Sequence, residues 1–370
     1  MTKRPRVFAL LVALVAGITA CASHTTGPAD PTDIGSLMEF YQVPGVSVAV
    51  IRDFRLDYLE VHGVKSKSTQ EPVTETTLFQ AASLSKSVSA VGVVRVAQEG
   101  VISLDVDVND YLTSWQLPDN AFQATEKVTM RRLLSHTAGT TVSGFRGYRY
   151  PETVPTLIQI LNGRPPANSA PIVVDFVPGS RRRYSGGGYV VMQQAVMDVT
   201  GTTYPKFIDQ QVLQPIGMEH STFEQPLPDS LRASAASGYY ADGTAVPGQH
   251  HTYPEIGAAG LWTTPTDLAR FLIELQLSLR GESNTVLSRE NTELLLAEVM
   301  NDYSLGFDVW SDRNQEYFGH RGANDGFRSS MVAHRGGGHG VVIMTNSDNG
   351  LDLSEAVVRL IGRREGWPGY

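Results

Sequence analysis

Cysteine is all but missing, with Cys21 the single one among 370 residues. That count excludes an internal disulfide framework and a cysteine-rich zinc site. Charge is also sparse, at 18% of residues against roughly 25% in an average globular chain. It carries no basic excess: 30 Lys and Arg oppose 38 Asp and Glu, giving a net charge of −8. A nucleic-acid binder needs a basic surface to hold phosphates, so that class is set aside. The sequence lacks a GxSxG elbow, an HExxH helix, a P-loop and a complete GxGxxG, which removes several common enzyme designs. Apolar content is ample, at 41%, and disorder over most of the chain is excluded. A chain of this length buries about 75% of its unfolded surface, as one large domain or two fused lobes.

One apolar stretch, Val7 to Ile18, is shorter than the roughly 20 residues that cross a hydrocarbon core. It follows Lys3, Arg4 and Arg6, an arrangement that suits a secretory signal. It ends in Ile18-Thr19-Ala20-Cys21, which resembles a bacterial lipobox. The expectation is a lipoprotein signal peptide over residues 1–20, acyl chains on Cys21, and a polar tether over residues 21–33 carrying Gly27, Pro28 and Pro31. Acylation then supplies the membrane affinity and places the protein in the cell envelope, on the periplasmic or extracytoplasmic side. The plainer alternative is an ordinary secretory signal with Cys21 an incidental thiol.

Residues 34–365 read as one domain without internal repeats. Val46–Ile51 and Leu56–Val61 predict a β-hairpin. Ser83–Glu99 predicts a helix buried nearly all round, with Leu84, Val88 and Val91 on one side, Ala90, Val93 and Val96 on the other, and Gly100 at its end. Further helices are expected over Val128–Leu134, Tyr189–Val199, Tyr204–Leu213 and Thr266–Leu279, the last with Thr264 as cap and Pro265 as first residue. Strands return over Ser304–Trp310, Glu316–His320, Phe327–His334 and Val341–Met344, before a helix over Leu353–Ile361. The triple glycine Gly336-Gly337-Gly338 supplies a turn between the last two strands. Strands at both ends around a helical middle predict an α+β fold: an antiparallel sheet built by both terminal segments, flanked by helices. A mostly helical lobe, roughly 100–290, is inserted, and the cleft lies between the lobes.

Ser83-Leu84-Ser85-Lys86 opens the buried helix. Residues three apart share a helix face, so the Ser83 hydroxyl and Lys86 amine can meet. A serine hydroxyl becomes a nucleophile when a base takes its proton, and lysine becomes that base when burial disfavours its ammonium form. The helix start also aims backbone N–H groups at a developing oxyanion. SxxK alone is weak, since about one is expected by chance in a chain this long. Here apolar Leu78-Phe79 and Ala81-Ala82 precede it and Val88 follows.

With Tyr184-Ser185-Gly186 and His320-Arg321-Gly322 following in that order, the chain resembles the penicillin-recognising serine hydrolases. These include class C β-lactamases, DD-peptidases, D-aminopeptidases and esterases of the same fold. Leu134-Ser135-His136-Thr137-Ala138-Gly139 and Ala259-Gly260-Leu261-Trp262-Thr263-Thr264-Pro265 resemble the same family, and the likeness covers roughly residues 34–362. It implies a two-step acyl transfer. Ser83 attacks a carbonyl, Lys86 and Tyr184 share the role of base, and the oxyanion sits between the N–H groups of Ser83 and Ala323. His320, Gly322 and Gly186 are implied at the substrate, His320 opposite its carboxylate when protonated. No metal or organic cofactor is implied. The partners expected are a small ester, an amide or a peptidoglycan-like substrate and the membrane, not nucleic acid.

Gly186 and His320 replace the asparagine and lysine of class C β-lactamases, which favours esters or D-amino-acid peptides over β-lactams. A class C β-lactamase, and a catalytically silent, lipid-tethered binder of cell-wall fragments, are the alternatives. His136 reads as structural, His250-His251 as a loop pair rather than a metal site, and Tyr189 and Trp262 as cleft or core.

Overall fold

The computed structural model describes residues 33–367, so Cys21 and the segment before it lie outside the described residues. The first strand, β1 (Gly45–Arg52), runs antiparallel to β2 (Arg55–Ser66). Asp53 and Phe54, both with positive φ, join them in the mirror-image turn that matches strand twist. After β3 (Glu71–Pro72) the chain leaves the sheet, and it returns as β4 (Asp308–Asp312), β5 (Gln315–Asn324), β6 (Phe327–His334) and β7 (Gly340–Thr345). The seven strands lie in the order β3-β2-β1-β7-β6-β5-β4, with β1 paired to β7 from Val46–Thr345 to Ile51–Gly340. The first and last strands thus meet at the centre of one sheet.

Alternation along the central strands divides the core. Val46, Val48 and Val50 of β1, with Val341 and Ile343 of β7, face α1 (Ile34–Tyr41) and the final helix (Gly350–Glu365), where Leu37, Leu353, Val357 and Ile361 complete a smaller cluster. Ala49, Ile51, Val342 and Met344 point the other way into the main core. That side receives α2 (Leu84–Gln98), which is buried almost all round, as its apolar residues on every side predict. Between them the chain forms α3 (Met130–Leu134), α4 (Gly186–Thr200) and α5 (Pro265–Arg280). In α5 Thr264 accepts the Asp267 N–H, Pro265 takes the first helical place, and Gly281 adopts the left-handed conformation after the end.

The observed elements differ from the sequence reading at several points. The expected strand Ser304–Trp310 shrinks to β4, because Gly306, at φ +85, turns the chain against α2, where a Cβ would lie 2.7 Å from the Ala90 Cβ. The helix expected over Tyr204–Leu213 is α-helical only to Ile208 and continues as a π-turn over Asp209–Leu213. Within the triple glycine only Gly338 has positive φ. Helix α4 begins at Gly186, earlier than expected, because the Ser185 hydroxyl caps it by accepting the Gly188 N–H. No helix among the described residues is long and apolar enough to cross a membrane.

Candidate active site

Ser83 stands at the N-terminal cap of α2, directly after Ala82, whose φ of +50 is unusual for a residue with a Cβ. The turn consumes the N–H groups of Leu84, Ser85 and Lys86 on the carbonyls of Ala81, Ala82 and Ser83, a pattern in which the Ser83 N–H takes no part. One helical turn on, the Lys86 ammonium nitrogen lies 3.1 Å from Ser83 Oγ and 2.8 Å from the Ala258 carbonyl. It sits 5.0 Å from the ring centre of Tyr184 and 5.6 Å from that of Tyr189. Lys86 is buried, and that burial lowers its pKa to about 7. Burial pushes the Tyr184 phenol well above the ordinary value, and the Ser83 side chain beside it opposes part of that rise. The structure therefore brings Ser83, Lys86 and Tyr184 together.

Strand β5 closes the other side. Its pairing with β4 stops at Gly319, while its pairing with β6 continues to Asn324. Alternate residues of an antiparallel strand turn their N–H groups to opposite sides. Because Gly319 bonds toward β4 and Asn324 toward β6, the Ala323 N–H faces the edge that β4 leaves open. Gly322 sets how near that edge comes: a Cβ there would lie 2.3 Å from the Ala81 carbonyl and 3.1 Å from the Ala82 Cβ. Ser329 Oγ donates to the same Ala81 carbonyl at 2.7 Å, and Asn324 donates to Gln80 Oε1 at 2.9 Å. These contacts hold the edge beside the residue preceding Ser83.

His320, Gly186 and Gly322 take the following places in the folded chain. His320 is buried, its Nδ1–H donates to the Arg321 carbonyl at 2.7 Å, and its Nε2 meets the Tyr303 hydroxyl at 3.2 Å. Burial, reinforced by Lys86, lowers its pKa to about 3, so it is neutral and offers no positive charge to a carboxylate. The Gly186 N–H bonds to the Ser143 carbonyl, and a Cβ there would meet the Phe145 ring at 3.0 Å. Gly322 lets this edge and the Ala81–Ala82 segment approach closely.

Of the remaining candidates, Tyr189 is fully buried and donates to the Leu134 carbonyl, walling the Lys86 pocket, while Trp262 lies in the core beside Gln80. His251 bonds to the Arg146 carbonyl, and no metal-binding group of side chains exists among the described residues. Arg183 pairs with Asp175 at 2.6 Å and Arg182 stacks on Tyr303, so the arginine run anchors the Tyr184 loop. Sequence reasoning missed Tyr303 and the Ala258 carbonyl. Both reach the site from folded-back segments without a local pattern to mark them.

A family model described as Beta-lactamase matches residues 32–362. Protein flp of Staphylococcus aureus (strain N315) is 23% identical over 86% of this chain and 62% of its own length, so the chain spans less than two thirds of that relative. Among solved structures, the octameric penicillin-binding protein homologue from Pyrococcus abyssi superposes with a TM-score of 0.72 at 22% identity, covering 89% of this chain and 76% of that one. D-alanine carboxypeptidase AmpC from Burkholderia cenocepacia gives 0.70 at 20% identity, covering 89% and 96%. The fold is of the β-lactamase and transpeptidase type, α+β with a large antiparallel sheet flanked by helices.

Proposed function

The chain belongs to the beta-lactamase family, a superfamily of serine hydrolases, and on that premise we propose that it cleaves small esters or D-amino-acid peptides and amides through an acyl-serine intermediate. The observation that carries this reading is Lys86, buried 3.1 Å from Ser83 Oγ with its pKa near 7. Lys86 Nζ donates to both the Ala258 carbonyl and Ser83 Oγ, and losing a proton near pH 7 frees a lone pair for the Ser83 hydroxyl. Lys86 takes the proton as Ser83 attacks the carbonyl. Tyr184 keeps its own proton at neutral pH, so it acts as a relay that passes a proton to the leaving group rather than as a phenolate. The oxyanion forms between the N–H groups of Ser83 and Ala323, each such donor being worth about 10²–10³ in rate. Water then attacks the ester, activated by the same Tyr184–Lys86 pair.

The substrate class follows from what recognises it. A neutral His320 and a side-chain-free Gly186 offer neither the cation nor the amide with which to hold a β-lactam's carboxylate and acylamide. Esters and small D-amino-acid amides should therefore be cleaved better than cephalosporins. The test is kcat/KM for p-nitrophenyl butyrate, a D-alanyl p-nitroanilide and nitrocefin on one preparation, together with fluorophosphonate labelling of the wild type and Ser83→Ala. Loss of both turnover and labelling in folded Ser83→Ala is expected; undiminished hydrolysis refutes the nucleophile. Nitrocefin leading the other substrates by about tenfold, some 1.4 kcal/mol of transition-state preference, refutes the substrate reading. Cys21, with its lipobox-like approach, supports anchoring in the bacterial envelope by acyl chains.

A further inference from the structure

Helix α3 ends in a Schellman motif: the His136 N–H returns to the Leu133 carbonyl at 3.3 Å and the Thr137 N–H to the Arg132 carbonyl at 2.9 Å. The residue at this corner adopts the left-handed conformation, which glycine enters most easily, yet here it is a histidine at φ +60. Its two acceptors go to either side of one residue. The Arg183 N–H donates to the His136 carbonyl at 2.9 Å, and the Ser185 N–H donates to His136 Nδ1 at 3.1 Å. The imidazole lies against the Tyr184 ring, centre to centre 4.2 Å, and against Tyr303 at 4.9 Å. Because Nδ1 accepts, the ring proton is on Nε2, and that buried atom has no hydrogen-bond partner among the described residues. Glycine at this corner would avoid both the left-handed strain and the orphaned N–H.

We propose that His136 is a positioning residue for Tyr184, clamping the backbone N–H groups of the residues before and after it and backing its ring so that the phenol stays on Ser83. The inference rests on the reading of Tyr184 as the proton relay. It assigns a task to the Leu134-Ser135-His136-Thr137 segment that the acyl-transfer steps leave unused. The neutral Nε2–H form is the one that works, since protonation would turn the Nδ1 acceptor into a donor facing the Ser185 N–H. Burial above all opposes a positive charge there, and the Arg182 guanidinium adds to it.

The test places His136→Gly, which suits the backbone and deletes ring and acceptor, and His136→Asn, which tolerates the left-handed corner and restores an acceptor, in the wild-type and Tyr184→Phe backgrounds of the whole protein. Thermal unfolding and kcat and KM for p-nitrophenyl butyrate are read for each. For the glycine variant kcat should fall about 100-fold with KM within about threefold, asparagine should regain at least tenfold of that, and neither should change kcat beyond about threefold once Tyr184 is Phe. A folded glycine variant with kcat near wild type overturns the proposal, as does a loss of equal size in Tyr184→Phe. If the glycine variant does not fold, the asparagine variant decides: a small deficit that vanishes in Tyr184→Phe supports the clamp, and one that persists undiminished overturns it. Full activity of Tyr184→Phe alone shows instead that the relay reading has failed, and the clamp falls with it.

Discussion

Burying an amine without a carboxylate beside it withholds the ammonium form from the folded chain, and Lys86 is held that way. Glu255 is its mirror image: fully buried, with neither carboxyl oxygen hydrogen-bonded, and raised by burial to about 8. The two make opposite contributions to stability. Unfolded lysine keeps its proton to about 10.5 while folded Lys86 sheds it near 7, so between those values the unfolded chain binds more protons and stability rises with pH. Folded Glu255 keeps its proton to about 8 while an unfolded glutamate releases it near 4.5, so stability falls with rising pH across that range. Each slope is limited to about 1.4 kcal/mol per pH unit. Lys86→Met should lose turnover, and its stability advantage over wild type should be largest near pH 6 and shrink by pH 9. Glu255→Gln should gain on wild type more at pH 8 than at pH 5. Urea melts at those pH values check both; parallel curves for all three proteins would contradict the burial argument.

At the level of elements, the site is the contact between the start of α2 and the edge of β5, and glycine keeps that contact short. Gly322→Ala would drive a methyl into the Ala81 carbonyl and Ser329 Oγ, each 2.3 Å away. Separating the two segments should cost about 1–3 kcal/mol of stability and about 10²-fold in kcat, measured by melts and kinetics together. Thr264→Ala, by contrast, removes only the cap of α5 and should cost about 1 kcal/mol with kcat unchanged. Such elements were legible in the sequence where local chemistry decides them. The β-branched run Val46–Ile51 gave β1, the Thr264-Pro265 pair gave the start of α5, and the Ser83–Lys86 spacing gave one shared helix face. Legibility ended where distant segments decide. Ser304–Phe307 has strand composition, yet Gly306 is bent by the flank of α2. The charge of His320 depends on burial and on Lys86, neither of which its own strand reveals. The clamp on Tyr184 joins residues 136 and 183–185 across the inserted segment, beyond the reach of any periodicity.

Over the whole molecule, the sheet comes from both ends of the chain and carries the Ala323 edge, while Tyr184 arrives from the helical segment inserted between them. If Cys21 bears acyl chains, Cys21→Ser should move the protein from the membrane to the soluble extracytoplasmic fraction with hydrolase activity intact. Equal membrane association of the two forms, on fractionation and immunoblotting, argues against the anchor.

The meeting of β1 with β7 has its own consequence. Ile34 and Trp367 belong to the same apolar cluster, so the first and last described turns are neighbours in space. The folded body is nearly a closed ring of chain, interrupted at one seam. A linker across that seam, with new ends opened in a surface loop of the inserted lobe, would keep every strand pairing of the central sheet. In such a rearranged gene the Ser83 and Ala323 segments would exchange their order along the chain while keeping their places in the fold.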